Sequence, residues 1–185
     1  MKINQWVDER LDPFIATHGA ARLLQANYEM LGSWPLAINA YNTGAGRMKR
    51  AIRQLGTDDI GVIARQYQGR GYGFASRNFY PSFIAAMEVA ENYRQIFGDV
   101  PISEPITYEV IQLPDRARFQ DVAEILELDM GSLQDLNPAF NTLAFDADVY
   151  LPEGAAIRVP LGEGARVLSG IYNIARPSRP TYSDN

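Results

Sequence analysis

Apolar side chains recur at helical spacing along the first half of this chain. Ala20, Leu23, Leu24, Tyr28 and Leu31 follow the i, i+3, i+4 rule. Asp12 stands as cap, Pro13 in the first turn and Gly32 as stop, so the pattern predicts a helix over 13–31. Trp34 and Pro35 open a second, short helix in which Leu36, Ala37, Ala40 and Tyr41 share one face, predicted to be buried. A basic helix follows from about Arg47 to Leu55, ended by Gly56, and Asp58 and Asp59 can cap another that ends near Tyr67. Gly69, Gly71 and Gly73 alternate through a loop. No strand precedes them, so they are not a nucleotide fingerprint. A long helix is predicted over 77–97, with Phe79, Phe83, Met87, Ala90 and Tyr93 in one stripe expected to pack into a core.

Two prolines without helical period mark 99–105 as a linker. Beyond it the pattern changes. Residues 106–112 are rich in β-formers and predict a short strand. Phe119, Val122, Ala123 and Leu126 lie on one face of a predicted helix over 119–128. Ser132 is the expected cap of a second short helix through Leu136, ended by Asn137-Pro138. A turn at Pro152-Glu153-Gly154 then leads to a strand over 156–160. The expected order is strand, helix, helix, strand, followed by an extended tail over 163–185 that is disordered from Ala175, where Pro177 and Pro180 fall among polar residues.

Composition narrows the options. A chain of 185 residues suits one domain, or one domain and a small module. A net charge of -5 argues against nucleic acid as the main partner. No cysteine is present, so there is neither a disulfide frame nor a thiolate metal site. No signal peptide is recognisable and no apolar run approaches a membrane span. The single histidine, His18, has no carboxylate or serine partner in view and no metal cluster around it; no metal or other cofactor is expected.

The candidate chemistry sits at Tyr41-Asn42-Thr43-Gly44-Ala45-Gly46. Asn42 offers amide donors and an acceptor, Tyr41 a flat ring with a hydroxyl, and Gly44 an unrestricted backbone beside them. Such groups can hold a sugar or an N-acetyl group. On residue chemistry alone, Tyr-Asn before Gly is most often an ordinary helix end.

Taken with Trp34-Pro35-Leu36-Ala37 before it, this segment resembles the Ala-Tyr-Asn-x-Gly motif of peptidoglycan lytic transglycosylases, nearest to the membrane-bound type D branch with its lysozyme-like domain. Val7-Asp8-Glu9-Arg10-Leu11-Asp12-Pro13 and Gly73-Phe74-Ala75-Ser76-Arg77-Asn78-Phe79-Tyr80-Pro81 resemble the segments that flank it, in the same order. Together the resemblance covers nearly all of 7–97. It implies a mainly α fold: the C-terminal part of a lysozyme-like domain over 1–98, a linker over 99–105 and a small α/β module over 106–162. Leu133-Gln134-Asp135-Leu136-Asn137-Pro138 and 151–160 look like the second helix and closing strand of a LysM module, a glycan-binding βααβ unit. Pro114-Asp115-Arg116-Ala117 departs from the Gly-Asp-Thr-Leu usual after the first strand.

The resemblance further implies cleavage of the β-1,4 bond between N-acetylmuramic acid and N-acetylglucosamine, with closure of a 1,6-anhydro ring. The family's catalytic glutamate lies in a Glu-Ser pair ahead of these motifs, and nothing in this sequence matches that pair. The expectation is a chain without its acid, weak or inactive alone. Asp8 and Glu9 read instead as a solvated, helix-capping turn. Implied substrate-binding residues are Tyr41, Asn42, Gly44, Phe79 and Tyr80, with Tyr41 also supporting the acid. Phe79 stands where the family usually has tyrosine. Arg77 reads as an ion-pair or capping residue. The implied partner is the glycan strand of peptidoglycan and the implied setting the periplasm or cell envelope. The alternative is a non-catalytic peptidoglycan-binding protein.

Overall fold

A computed structural model describes residues 1–175. The disorder expected from Ala175, with Pro177 and Pro180, falls almost wholly outside these residues. The described chain is mainly helical and forms two compact units: His18–Ser103 is one, and Met1–Thr17 together with residues from Glu104 on is the other.

The unit 18–103 is all helix. α1 spans Pro13–Leu31 and stops at Gly32, whose φ of 70° is the left-handed turn that glycine adopts at little cost. α2 (Trp34–Thr43), α3 (Ala45–Leu55) and α4 (Ile60–Gln66) follow. Asp59 caps α4 by accepting from the amides of Gly61 and Val62. Leu36, Ala40, Met48, Ala51, Ile63, Tyr67 and Tyr72 form the core of the unit. Ile38 and Asn39 are buried as well, so α2 hides all but a narrow outer face.

α5 (Phe74–Glu91) starts three residues earlier than predicted, and the long helix breaks at Asn92 before α6 (Tyr93–Phe97). The Asn92 side-chain amide donates back to the Glu88 carbonyl at 2.9 Å, competing with the helical ladder there. The expected core stripe holds only in part. Phe79 and Phe83 are half-buried, but Met87 and Ala90 are exposed, because α2 and α4 pack against α5 and nothing in this unit covers its far end.

The second unit contains the strand, helix, helix, strand order. β1 (Tyr108–Gln112) pairs antiparallel with β2 (Ala156–Pro160), with Val110 opposite Arg158. Between them lie α7 (Phe119–Leu126) and α8 (Met130–Leu136). The cap of α8 is Asp129, not Ser132: its carboxylate accepts from the Ser132 amide at 3.0 Å and the Ser132 hydroxyl at 2.6 Å. Phe119 is buried at the centre, stacked on Phe145 at 4.3 Å and edge-on to Phe140 at 5.1 Å. Removing its ring would cost about 3–5 kcal/mol by loss of burial and creation of a cavity.

Two expectations about this unit are corrected. Residues 163 onward are not an extended tail: α9 spans Gly164–Ala175, with Val167 and Ile171 buried against α7 and its first amide bonded to the Glu109 carboxylate. Gly170 lets α9 approach closely, since a Cβ there would lie 2.6 Å from Ile125. The boundary at 98 also misplaces residues 1–17. Their backbone is tied to the connection after α8, with Asp8 N–H to the Ala139 carbonyl at 2.7 Å and Asn141 N–H to the Trp6 carbonyl at 3.0 Å. Asp12 completes the tie. One carboxylate oxygen caps α1 through the amides of Phe14 and Ile15, while the other meets Arg158 at 2.5 Å. Arg158 lies over the rings of Tyr108 and Phe14 at 4.5 and 5.3 Å.

Candidate glycan-binding site

The candidate residues lie where α2 packs on α5. Pro35 presets the first turn of α2. Gly44 ends that helix and starts α3 at φ 83°, donating its N–H to the Ala40 carbonyl at 2.7 Å. Nothing stands within 4 Å of where a Cβ would project from Gly44, so it is the backbone conformation that favours glycine there. Gly44 therefore sets the exit of the chain beside Asn42.

Tyr41 and Asn42 are exposed on the last turn of α2, although the rest of the helix is largely buried. The Tyr41 ring stacks on Phe79 of α5, with centroids 6.2 Å apart and planes 15° from parallel. One turn earlier on α5, buried Ser76 donates from its hydroxyl to Asn42 Oδ1 at 3.2 Å. That bond occupies the acceptor end of the carboxamide and leaves Nδ2, a two-hydrogen donor, for a ligand. Tyr80 is half-buried, and its hydroxyl has no hydrogen-bond partner among the described residues. The structure thus brings together Tyr41, Asn42 and Phe79, adds Ser76, and leaves Gly44 a backbone role.

Behind the exposed pair is a buried polar layer. Asn39, 1% exposed, donates from Nδ2 to the Tyr72 hydroxyl at 3.1 Å, while its Oδ1 has no hydrogen-bond partner among the described residues. Burial holds the Tyr72 hydroxyl above the ordinary tyrosine pKa, partly offset by Asn39 and by the charge of Arg77. Thr43 donates to the Asn39 carbonyl at 3.0 Å, fixing the turn that carries Asn42. Arg77 caps the end of α4, donating to the carbonyls of Ala64, Arg65 and Tyr67 at 2.6, 3.1 and 3.0 Å. It fills the structural role expected of it.

Residues 1–63 match the family model of the Transglycosylase SLT domain. That stretch contains Tyr41, Asn42 and Gly44 and ends before Ser76, Phe79 and Tyr80. The match supports a lysozyme-like transglycosylase domain, and that family acts on peptidoglycan. No curated protein matches the chain. No described helix is long and apolar enough to cross a membrane.

Several acidic residues of the matched stretch are engaged in pairs or hydrogen bonds. Asp8 pairs with Arg10 at 2.6 Å, and the hydrogen bond from that guanidinium holds its carboxyl below the ordinary aspartate pKa. A general acid working near neutral pH needs a shift in the other direction. Glu9 accepts from the Lys2 amide and lies 3.9 Å from the Met1 ammonium, and Glu29 accepts from Gln25 at 3.0 Å. His18 is exposed, and no group of residues able to hold a metal occurs among those described.

Sequence reasoning missed Ser76. It stands 34 residues from Asn42, in a segment that seemed only to open a helix. The available signal was a hydroxyl in the first turn of the helix, between Phe74 and Phe79.

Proposed function

We propose that this chain is a portion of a murein lytic transglycosylase whose α2–α5 face grips the glycan strand. The observation that carries the reading is the exposed Tyr41-Asn42 pair inside the matched stretch, with its amide donor directed outward by Ser76. In the proposed reaction a glutamic acid protonates the leaving glycosidic oxygen. The resulting carboxylate then takes the proton of the muramoyl 6-hydroxyl, whose oxygen attacks the anomeric carbon and closes the 1,6-anhydro ring. No water is consumed.

Asn42 hydrogen bonds the sugar, and Tyr41, on its Phe79 platform, borders the anomeric centre. A positioned donor of this kind is worth about 3–4 kcal/mol when it acts on the transition state. The depressed pKa of Asp8 and the pairing of Glu9 and Asp12 favour an acid contributed by residues outside this set. The chain by itself then binds murein without cleaving it.

The second unit is proposed to be a LysM-like module, on the support of its antiparallel β1–β2 pair and two intervening helices. Its first connection departs from the family pattern: Arg116 and Arg118 there both lie over the Tyr150 ring, at 5.2 and 5.4 Å. That packing favours a structural role for the connection. The proposed setting is the periplasm or cell envelope, where peptidoglycan lies.

Digestion of purified murein sacculi tests the catalytic half of the reading. The expectation is retention of the chain on the sacculi and no soluble anhydro-muropeptide. Release of anhydro-muropeptides by this chain alone would place the acid within it. Failure to bind sacculi would remove the glycan role altogether.

A further inference from the structure

We propose that Trp34, with Tyr28 behind it, is a second sugar platform on the same face of α2 as Tyr41, so that the helix carries two stacking subsites for one β-1,4-linked N-acetylated glycan. The inference rests on the glycan-binding reading above and extends it by a subsite. Trp34 and Tyr41 are seven residues apart, which places them about 20° from each other around the helix and about 10.5 Å apart along it. Both side chains lean toward the helix N-terminus, so the spacing is preserved at the rings. That separation is close to two β-1,4-linked pyranose rings end to end.

Each ring stacks on a neighbouring ring while its residue stays nearly half exposed. Trp34 stacks on Tyr28 at 4.6 Å and 20°, yet remains 46% exposed; Tyr41 stacks on Phe79 at 6.2 Å and 15°, yet remains 44% exposed. Ile38 lies between them on the same face and is covered. A flat aromatic held in place by another ring has little rotamer freedom left to lose on binding, which favours it as a platform for the apolar face of a sugar. Asn42 follows Tyr41 about 100° around the helix, so the polar contact borders one platform only. Trp34 therefore contributes stacking area, and its effect depends on whether the ligand reaches both rings.

The test compares chitobiose with chitotetraose, both fully N-acetylated, on the full chain by titration calorimetry. For the unmodified chain the tetramer binds more tightly than the dimer. W34A is expected to reduce that advantage about tenfold, W34F to keep most of it, and Y41A to weaken both lengths. Emission of Trp34, isolated by W6F, is expected to shift with the tetramer. The inference is overturned if W34A leaves the tetramer's advantage intact while Y41A weakens binding; the site reading then stands alone. Equal loss on both lengths, or loss together with a lowered melting temperature in both W34A and W34F, assigns the Tyr28–Trp34 stack to holding α1 on α2 and also overturns it. Binding of neither sugar by the unmodified chain would remove the glycan reading and this inference together.

Discussion

Replacing Ser76 by alanine separates the orientation of Asn42 from the stability of the fold. The Ser76 hydroxyl is buried, whereas Asn42 is exposed, so water can satisfy Asn42 Oδ1 once the hydroxyl is gone. The net loss of one neutral hydrogen bond is about 0.5–1.5 kcal/mol, and the 3.2 Å length argues for the lower half of that range in stability. For binding, the carboxamide becomes free to turn its acceptor toward the ligand, and a fixed donor is replaced by a rotating group. A cost of about 1 kcal/mol corresponds to roughly fivefold in affinity for an N-acetylated oligosaccharide. S76T keeps the hydroxyl and should restore binding. Calorimetry with chitotetraose, urea denaturation and the Asn42 side-chain NH2 signals by NMR read the three quantities separately. Unchanged affinity and an unchanged Asn42 signal in S76A would refute the orienting role.

Other consequences follow from the same contacts. D12A removes a cap and leaves Arg158 without its buried carboxylate; chemical denaturation should show a loss of about 3–5 kcal/mol, a figure that an intact β1–β2 unit at wild-type stability would contradict. The Tyr72 pKa is raised, so its contribution to stability is complete below the ordinary tyrosine pKa and lost as pH rises above it toward the folded value. Tyrosinate absorbance should therefore lag in one residue, and Y72F should remove that late titration. Asp129 shows the opposite sign: its carboxyl is held low mainly by the Ser132 hydroxyl, so the α8 cap is intact above the ordinary aspartate range and lost as pH falls through the depressed value. Exchange of the Ser132 amide should accelerate there, and D129N should abolish the pH dependence.

Much of the fold is legible in the chain because its helices are set by local signals. Asp12-Pro13, Gly32, Gly44, Gly56 and Asp59 mark boundaries through caps and left-handed turns that need no tertiary context. The misreadings are of the other kind. Residues 1–17 join the second unit through backbone bonds to a connection more than a hundred residues away, and pairing at that distance leaves no periodicity to read. Gly164–Ala175 forms a helix and not the expected extended tail, with Val167 and Ile171 at helical spacing and buried. At the candidate site, Tyr41 and Asn42 stand out in the sequence by their motif, while Ser76 does not, since its bond to Asn42 exists only when α5 lies against α2.

The claim that the α2–α5 face holds a peptidoglycan glycan is tested most directly by N42A. Equilibrium binding of purified, N-acetylated murein strands should weaken about tenfold relative to the unmodified chain, with only a small fall in melting temperature, because Asn42 is exposed and its loss costs the fold one hydrogen bond, that from Ser76. Equal affinity of N42A and the unmodified chain for those strands would contradict it.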